Sequence, residues 1–174
     1  MSRRARFAAE TSGAAASEFV LILPAAALIL VNVVDVASYT WSKMQVDLAA
    51  HEAVGAARVL CDKDAELPAT TECDSLSTKM TAAAQSTSLG SKVSVADTAE
   101  AYFCANDDGQ LQQVATVDGT PPADCSDTTD GSLASPGLYI STKASYSFTP
   151  IFPGASVTST MPDIITRTAW LRLQ

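Results

Sequence analysis

The sequence predicts an α+β chain: one long N-terminal α-helix, transmembrane in its first half and amphipathic in its second, packed on a small antiparallel β-sheet domain. Three observations predict it. The stretch Phe19–Ala37 is almost wholly apolar, interrupted only by Asn32 and Asp35. Beyond Ser38, apolar positions at Val46, Ala50, Val54, Ala57 and Leu60-Cys61 recur at three- and four-residue steps, the stripe of a helix face. Near the C-terminus, 138–148 and 166–173 alternate in the period-two pattern of strands.

Taken in order, residues 1–13 form a basic leader. Arg3, Arg4 and Arg6 lie in it, and no Asp or Glu occurs before Glu10. Gly13 and the small residues Ala14–Ser17 separate this leader from the apolar run, with Glu18 at the junction. A carboxylate in a membrane segment costs roughly 2.5–3.5 kcal/mol at the bilayer centre and less near an interface, so Glu18 calls for a partner.

The helix is predicted over 14–60, with its transmembrane half at about 19–37. At the standard rise 14–60 spans about 70 Å, and its apolar half approaches the roughly 30 Å hydrocarbon core. The preceding arginines place the N-terminus in the cytoplasm and the acidic remainder on the far side. Tyr39 and Trp41 suit an aromatic belt at that far interface. Asn32 and Asp35 read as marking the exit from the bilayer, ahead of hydrogen bonding between subunits. Pro24 removes one backbone donor inside the helix. It reads either as an incidental kink or as a bend that helps the helix leave the bilayer. A cleavable secretory signal, cut after Val36-Ala37-Ser38, competes with this reading. The apolar run is long for a signal, and the helical pattern continues past Ser38 without a break.

From residue 61 onward the chain turns polar and turn-rich. A second helix is predicted over 76–88, closed by Gly90. Short strands are predicted at 92–95, 101–104 and 111–117, and stronger ones at 138–148 and 166–173. In 138–148, Ile140, Thr142, Ala144, Tyr146 and Phe148 share a face; in the last strand Arg167, Ala169, Leu171 and Leu173 oppose Trp170. Residues 118–137 read as an exposed loop. Cys61, Cys73, Cys104 and Cys125 form no CxxC pair, and His51 is the sole histidine, so zinc spacing is absent. An even count beyond a membrane-targeting segment reads as two disulfides. Three pairings are open. Cys61–Cys73 with Cys104–Cys125 is favoured, because each closes a short, polar, turn-rich loop.

The formal net charge is -8. Without residues 1–13 the chain keeps 8 of its 11 Lys+Arg and 18 of its 19 Asp+Glu, a formal charge of -10. That balance argues against a nucleic-acid partner, which needs a basic footprint. No GxSxG or phosphate loop occurs, and a single histidine leaves no Ser-His-Asp set, so an enzyme is not expected. Asp107-Asp108-Gly109 and Asp127-Thr-Thr-Asp130-Gly131 lack EF-hand spacing and read as turns, and His51 reads as a plain surface or interface residue. No cofactor and no metal site are expected.

Basic leader, Gly13, four small residues, Glu18, an aromatic and an apolar helix together resemble the prepilin processing site of the type IV filament superfamily. Glu18-Phe19 is similar to the Glu-Tyr pair of its tight-adherence (Flp) branch. The early Pro24 and the Ala57-Arg58 pair resemble the TadE-like family of minor pilins, or pseudopilins. So do Tyr146-Ser-Phe148-Thr-Pro150-Ile-Phe-Pro153-Gly154 and the final strand through Arg167, Trp170 and Leu173. The resemblance covers roughly 12–62 and, less closely, 139–174; residues 63–136 match no known pattern.

This resemblance implies a pilin-like fold and a noncatalytic minor pilin or pseudopilin, a structural or priming subunit of a tight-adherence pilus. It implies cleavage of Gly13–Ala14 by a membrane prepilin peptidase, where glycine lets extended backbone enter a narrow subsite. Glu18 then becomes the fifth residue and pairs with the N-terminal amine of a neighbouring subunit, setting axial register; Phe19 departs from the family's tyrosine by a hydroxyl. The implied partners are the prepilin peptidase, other pilins and pseudopilins, the inner-membrane pilus assembly platform and membrane lipid. The implied location is the bacterial inner membrane, single pass with the C-terminal domain periplasmic, followed after assembly by display on a cell-surface pilus and a role in cell adhesion. The competing functions are an uncleaved single-pass membrane-anchored ligand-binding or sensor domain and, below it, a secreted enzyme.

Overall fold

A computed structural model of the chain describes residues 12–61, 66–128 and 132–174. The leader's residues 1–11, and Asp130 and Gly131 of one Asp-rich turn, lie outside them. The architecture is α+β. Helix α1 is described over Ser12–Leu60 and is continuous through Pro24. Two short helices follow, α2 at Ala69–Glu72 and α3 at Leu76–Ala84. Four strands complete the fold: β1 at Ser94–Ala105, β2 at Leu111–Thr116, β3 at Gly137–Ser147 and β4 at Ile164–Arg172. They form one antiparallel sheet in the order β2-β1-β3-β4.

The chain divides into two compact units. One holds the part of α1 up to Thr40 together with 149–163; the other holds 41–148 and 164–174. In the second unit the buried stripe of α1 is Val46, Ala49, Ala50, Ala53, Val54 and Ala57, spaced at three and four residues as a single face. Four of these six are alanines, whose small side chains allow close backbone approach. The sheet contributes Leu138, Ile140, Thr142 and Ala144 from β3 and Ile165 and Ala169 from β4; α3 contributes Leu76, Met80 and Ala84. Burial of a side chain such as Ile140 or Leu138 is worth about 1.5–3 kcal/mol. The outer face of the sheet carries an aromatic group in which Phe103 meets Tyr139 and Trp170 edge-on, at ring-centroid distances of 5.7 and 5.2 Å.

The disulfides are Cys61–Cys73 and Cys104–Cys125. The first ties the end of α1 to the residue after α2, and the second ties β1 to the 117–136 loop. Their sequence separations are 12 and 21 residues. Closing loops of that size restricts the unfolded chain by about 3 kcal/mol each in the chain-entropy account.

Three elements differ from the sequence expectation. Helix α3 stops at Ala84 instead of reaching Ser88, because the Ser86 and Thr87 hydroxyls donate to the Ala83 and Ala84 carbonyls and take the acceptors that end the helix. The expected strands 92–95 and 101–104 are one strand, β1. It continues through the polar Asp97-Thr98 by a bulge against β3, with Asp97 at φ 52°. Thr142 on β3 holds this bulge, its hydroxyl reaching the Ala96 carbonyl at 3.2 Å and the Thr98 hydroxyl at 3.0 Å. Helix α2 was not foreseen. Its first amides, Ala69 and Thr70, donate to the Glu100 carboxylate of β1 at 3.1 and 2.9 Å, and the Thr70 hydroxyl donates at 3.0 Å.

Candidate membrane and subunit interface

Helix α1 is long and apolar enough to cross a membrane. Every residue from Glu18 to Leu30 is exposed, on all sides of the helix. Phe19 is 64% exposed and Leu21 80%. A helix that is apolar all round is stable only when lipid or other helices surround it. The bare cylinder of α1 is therefore a candidate surface for lipid or for neighbouring helices.

Glu18 and Phe19 sit on this cylinder at its N-terminal end, both exposed. Gly13 and Ala14 belong to the first turn of α1. Pro24 lies inside the cylinder without ending it, because membrane-type helices accommodate the lost donor. Gly13, Ala14, Glu18 and Phe19 belong to the first compact unit and the four cysteines to the second.

Asn32 and Asp35 have partners that sequence reading missed. Asp35 is fully buried, although it lies in the apolar stretch. Its Oδ1 accepts the Ile151 N–H at 2.9 Å and its Oδ2 the Phe152 N–H at 3.3 Å. One turn earlier, the Asn32 Oδ1 accepts the Val157 N–H at 2.8 Å, and its Nδ2 donates to the carbonyls of Leu28 at 2.8 Å and Ala155 at 3.3 Å. The spacing of three puts both side chains on one face of the helix. They pin the connection between β3 and β4, residues 149–163, to α1. Ser156 and Thr158 are buried within this connection, their hydroxyls 2.8 Å apart. The usable signal was the pair of polar interruptions in an apolar helix, but nothing local names a partner more than a hundred residues away.

The remaining candidates are structural. Asp107, Asp108 and Gly109 form the β1–β2 hairpin turn, closed by Asn106, whose side chain accepts the Gln110 N–H at 2.7 Å. Hydrogen bonds from the Ser126 hydroxyl and N–H hold the exposed Asp124 carboxyl below its ordinary pKa. His51 is exposed on α1, and Trp41 is 55% exposed. Among the described residues no cluster of three or more His, Cys, Asp or Glu is arranged to hold a metal.

Comparison with known families places a match over residues 13–54, to the family described as TadE-like protein. The matched span begins at Gly13 and takes in the bare cylinder, both polar interruptions and most of the buried alanine stripe. Comparison with curated proteins and with solved structures found no match.

Proposed function

We propose, starting from the TadE-like character of residues 13–54, that this chain is a minor pilin or pseudopilin: a noncatalytic structural or priming subunit in the assembly of a tight-adherence pilus. The family match supports involvement in that pilus system and interaction with its other components. The observation that carries the finer reading is the uncovered apolar cylinder with one carboxylate, Glu18, at its start. Such a helix can reside in a bilayer and later exchange lipid for neighbouring helices, because both surroundings are equally apolar. In the bundle, Glu18 pairs with the amine of a neighbour's Ala14 once prepilin peptidase has cut after Gly13. That cut requires the first turn of α1 to unwind, and Gly13 is the residue there with the lowest steric barrier to extended backbone.

Two outcomes test the reading. In a host that has the peptidase, the wild-type chain loses the mass of residues 1–13, whereas Gly13→Leu keeps it. A wild-type protein that still carries the mass of residues 1–13 after membrane extraction would instead favour the uncleaved membrane-anchored sensor or ligand-binding domain. Glu18→Ala should still insert and be cleaved, yet its incorporation into pilus material should fall about tenfold or more, since losing one partner of a desolvated pair costs about 3–5 kcal/mol. Normal piliation with Glu18→Ala would exclude the register role.

A further inference from the structure

We propose that the 149–163 connection is a membrane-docking element, seated at the headgroup–acyl boundary of the leaflet at the Asp35 end of α1. The proposal rests on the reading of α1 as a bilayer-spanning helix, and its lines of support are separate from pilus assembly.

The first is depth. From Phe19 to Asp35 the helix rises about 24 Å, and from Ala14 to Asp35 about 32 Å. A hydrocarbon core of roughly 30 Å that begins anywhere in the small-residue junction therefore ends close to Asp35. The connection is hydrogen-bonded to α1 at Asn32 and Asp35, so its backbone is held at that same depth.

The second is chemistry. From Thr149 to Pro162 the connection contains no Asp, Glu, Lys, Arg or His, in a chain of which 17% is charged. It buries the hydroxyls of Ser156 and Thr158 and exposes three large apolar side chains: Ile151 is 56% exposed, Val157 49% and Phe152 40%. Thr149, Ser159, Thr160 and the closing Asp163 are exposed beside them. That mixture suits a headgroup–acyl boundary, where apolar side chains enter the acyl region, hydroxyls and a charge stay with the headgroups, and backbone polar groups must be satisfied within the protein. Asp35 and Asn32 satisfy the amides of Ile151, Phe152 and Val157, the residues that carry the exposed side chains. An ionisable residue at this depth is otherwise difficult to account for.

Lipid quenching of single tryptophans in the full-length chain tests the proposal. Trp41 and Trp170 are replaced by Phe, and either Phe152→Trp or Leu28→Trp is added. Each protein is reconstituted into phosphatidylcholine vesicles whose acyl chains carry bromine near the boundary or deep in the core. The Phe152→Trp protein should show blue-shifted emission and at least a twofold loss of intensity with shallow bromine, and less with deep bromine; Leu28→Trp should show the reverse depth preference. Adding Asp35→Leu, or Asn32→Ala should the former not fold, should restore most of the Phe152→Trp emission. If Leu28→Trp is quenched while Phe152→Trp is not, the docking proposal is overturned and the spanning helix stands. If neither is quenched, the spanning reading falls and the docking proposal with it. Blue-shifted but unquenched emission from Phe152→Trp means that protein, such as a second copy, covers the connection, and this too overturns the proposal. Shallow quenching of Phe152→Trp that persists in full after Asp35→Leu, or after Asn32→Ala where that is the variant used, overturns the claim that α1 holds the connection at this depth.

Discussion

Asp35→Leu is expected to free the 149–163 connection from α1. Its carboxylate is the acceptor for two amides, those of Ile151 and Phe152. Leucine removes both acceptors and offers nothing in exchange. A fully buried N–H left without a partner costs about 1–3 kcal/mol, and these two are only part-buried, so the local destabilisation is about 2–3 kcal/mol. Amide hydrogen exchange of the full chain in micelles reads this directly: Ile151 and Phe152 should exchange at least about 30-fold faster, with the loss confined to the connection. Asp35→Asn should fall between, because one carbonyl oxygen remains as an acceptor while the new amide group turns a donor towards the second N–H. If Asp35→Leu kept wild-type protection at both amides, the pin would be energetically irrelevant.

Glu100→Ala is expected to have an effect of similar size in the other unit. Glu100 is 9% exposed and its two oxygens accept from Ala69 N–H, Thr70 N–H and the Thr70 hydroxyl. Hydrogen bonds to a charged acceptor contribute about 1.5–3 kcal/mol each, and removing the acceptor strands the donors. Allowing for water reaching the part-buried Thr70 groups, a loss of about 3 kcal/mol is expected, which for a unit of this size lowers the thermal midpoint by roughly 10–15 °C. Glu100→Gln keeps the shape and one oxygen and should lose about half as much. Near-UV circular dichroism of the full chain, with the disulfides intact, provides the measurement. An unchanged midpoint in Glu100→Ala would show that α2 is held by the Cys61–Cys73 bridge and not by its carboxylate cap.

Reading order explains which elements the sequence revealed. Helix α1 was legible because its signals are local and long: an unbroken apolar run, then a stripe of fixed period. Strands β3 and β4 were found for the same reason, with Ile140, Thr142 and Ala144 alternating against Lys143 and Ser145. Strand β1 was split in prediction because Ala96, Asp97, Ala99 and Glu100 have poor strand propensity; pairing with an uninterrupted β3 overrides that preference, and the bulge absorbs the misfit. Helix α2, four residues long, has too little pattern to find, and its cap lies 30 and 31 residues further along the chain.

By itself the sequence determined the class of the protein: an apolar helix with a basic leader and a single junction carboxylate, followed by a disulfide-bearing α+β region. Those features depend on composition and period, which act between near neighbours in the chain. Only the tertiary structure decided what the two polar interruptions in that helix are for. Asn32 and Asp35 looked like the place where the chain leaves a bilayer, and the partners that satisfy them lie 116 to 125 residues further on. The physical reason is that a hydrogen bond is set by position in space. A buried carboxylate declares that it needs donors, but only the fold says that those donors are the amides of Ile151 and Phe152.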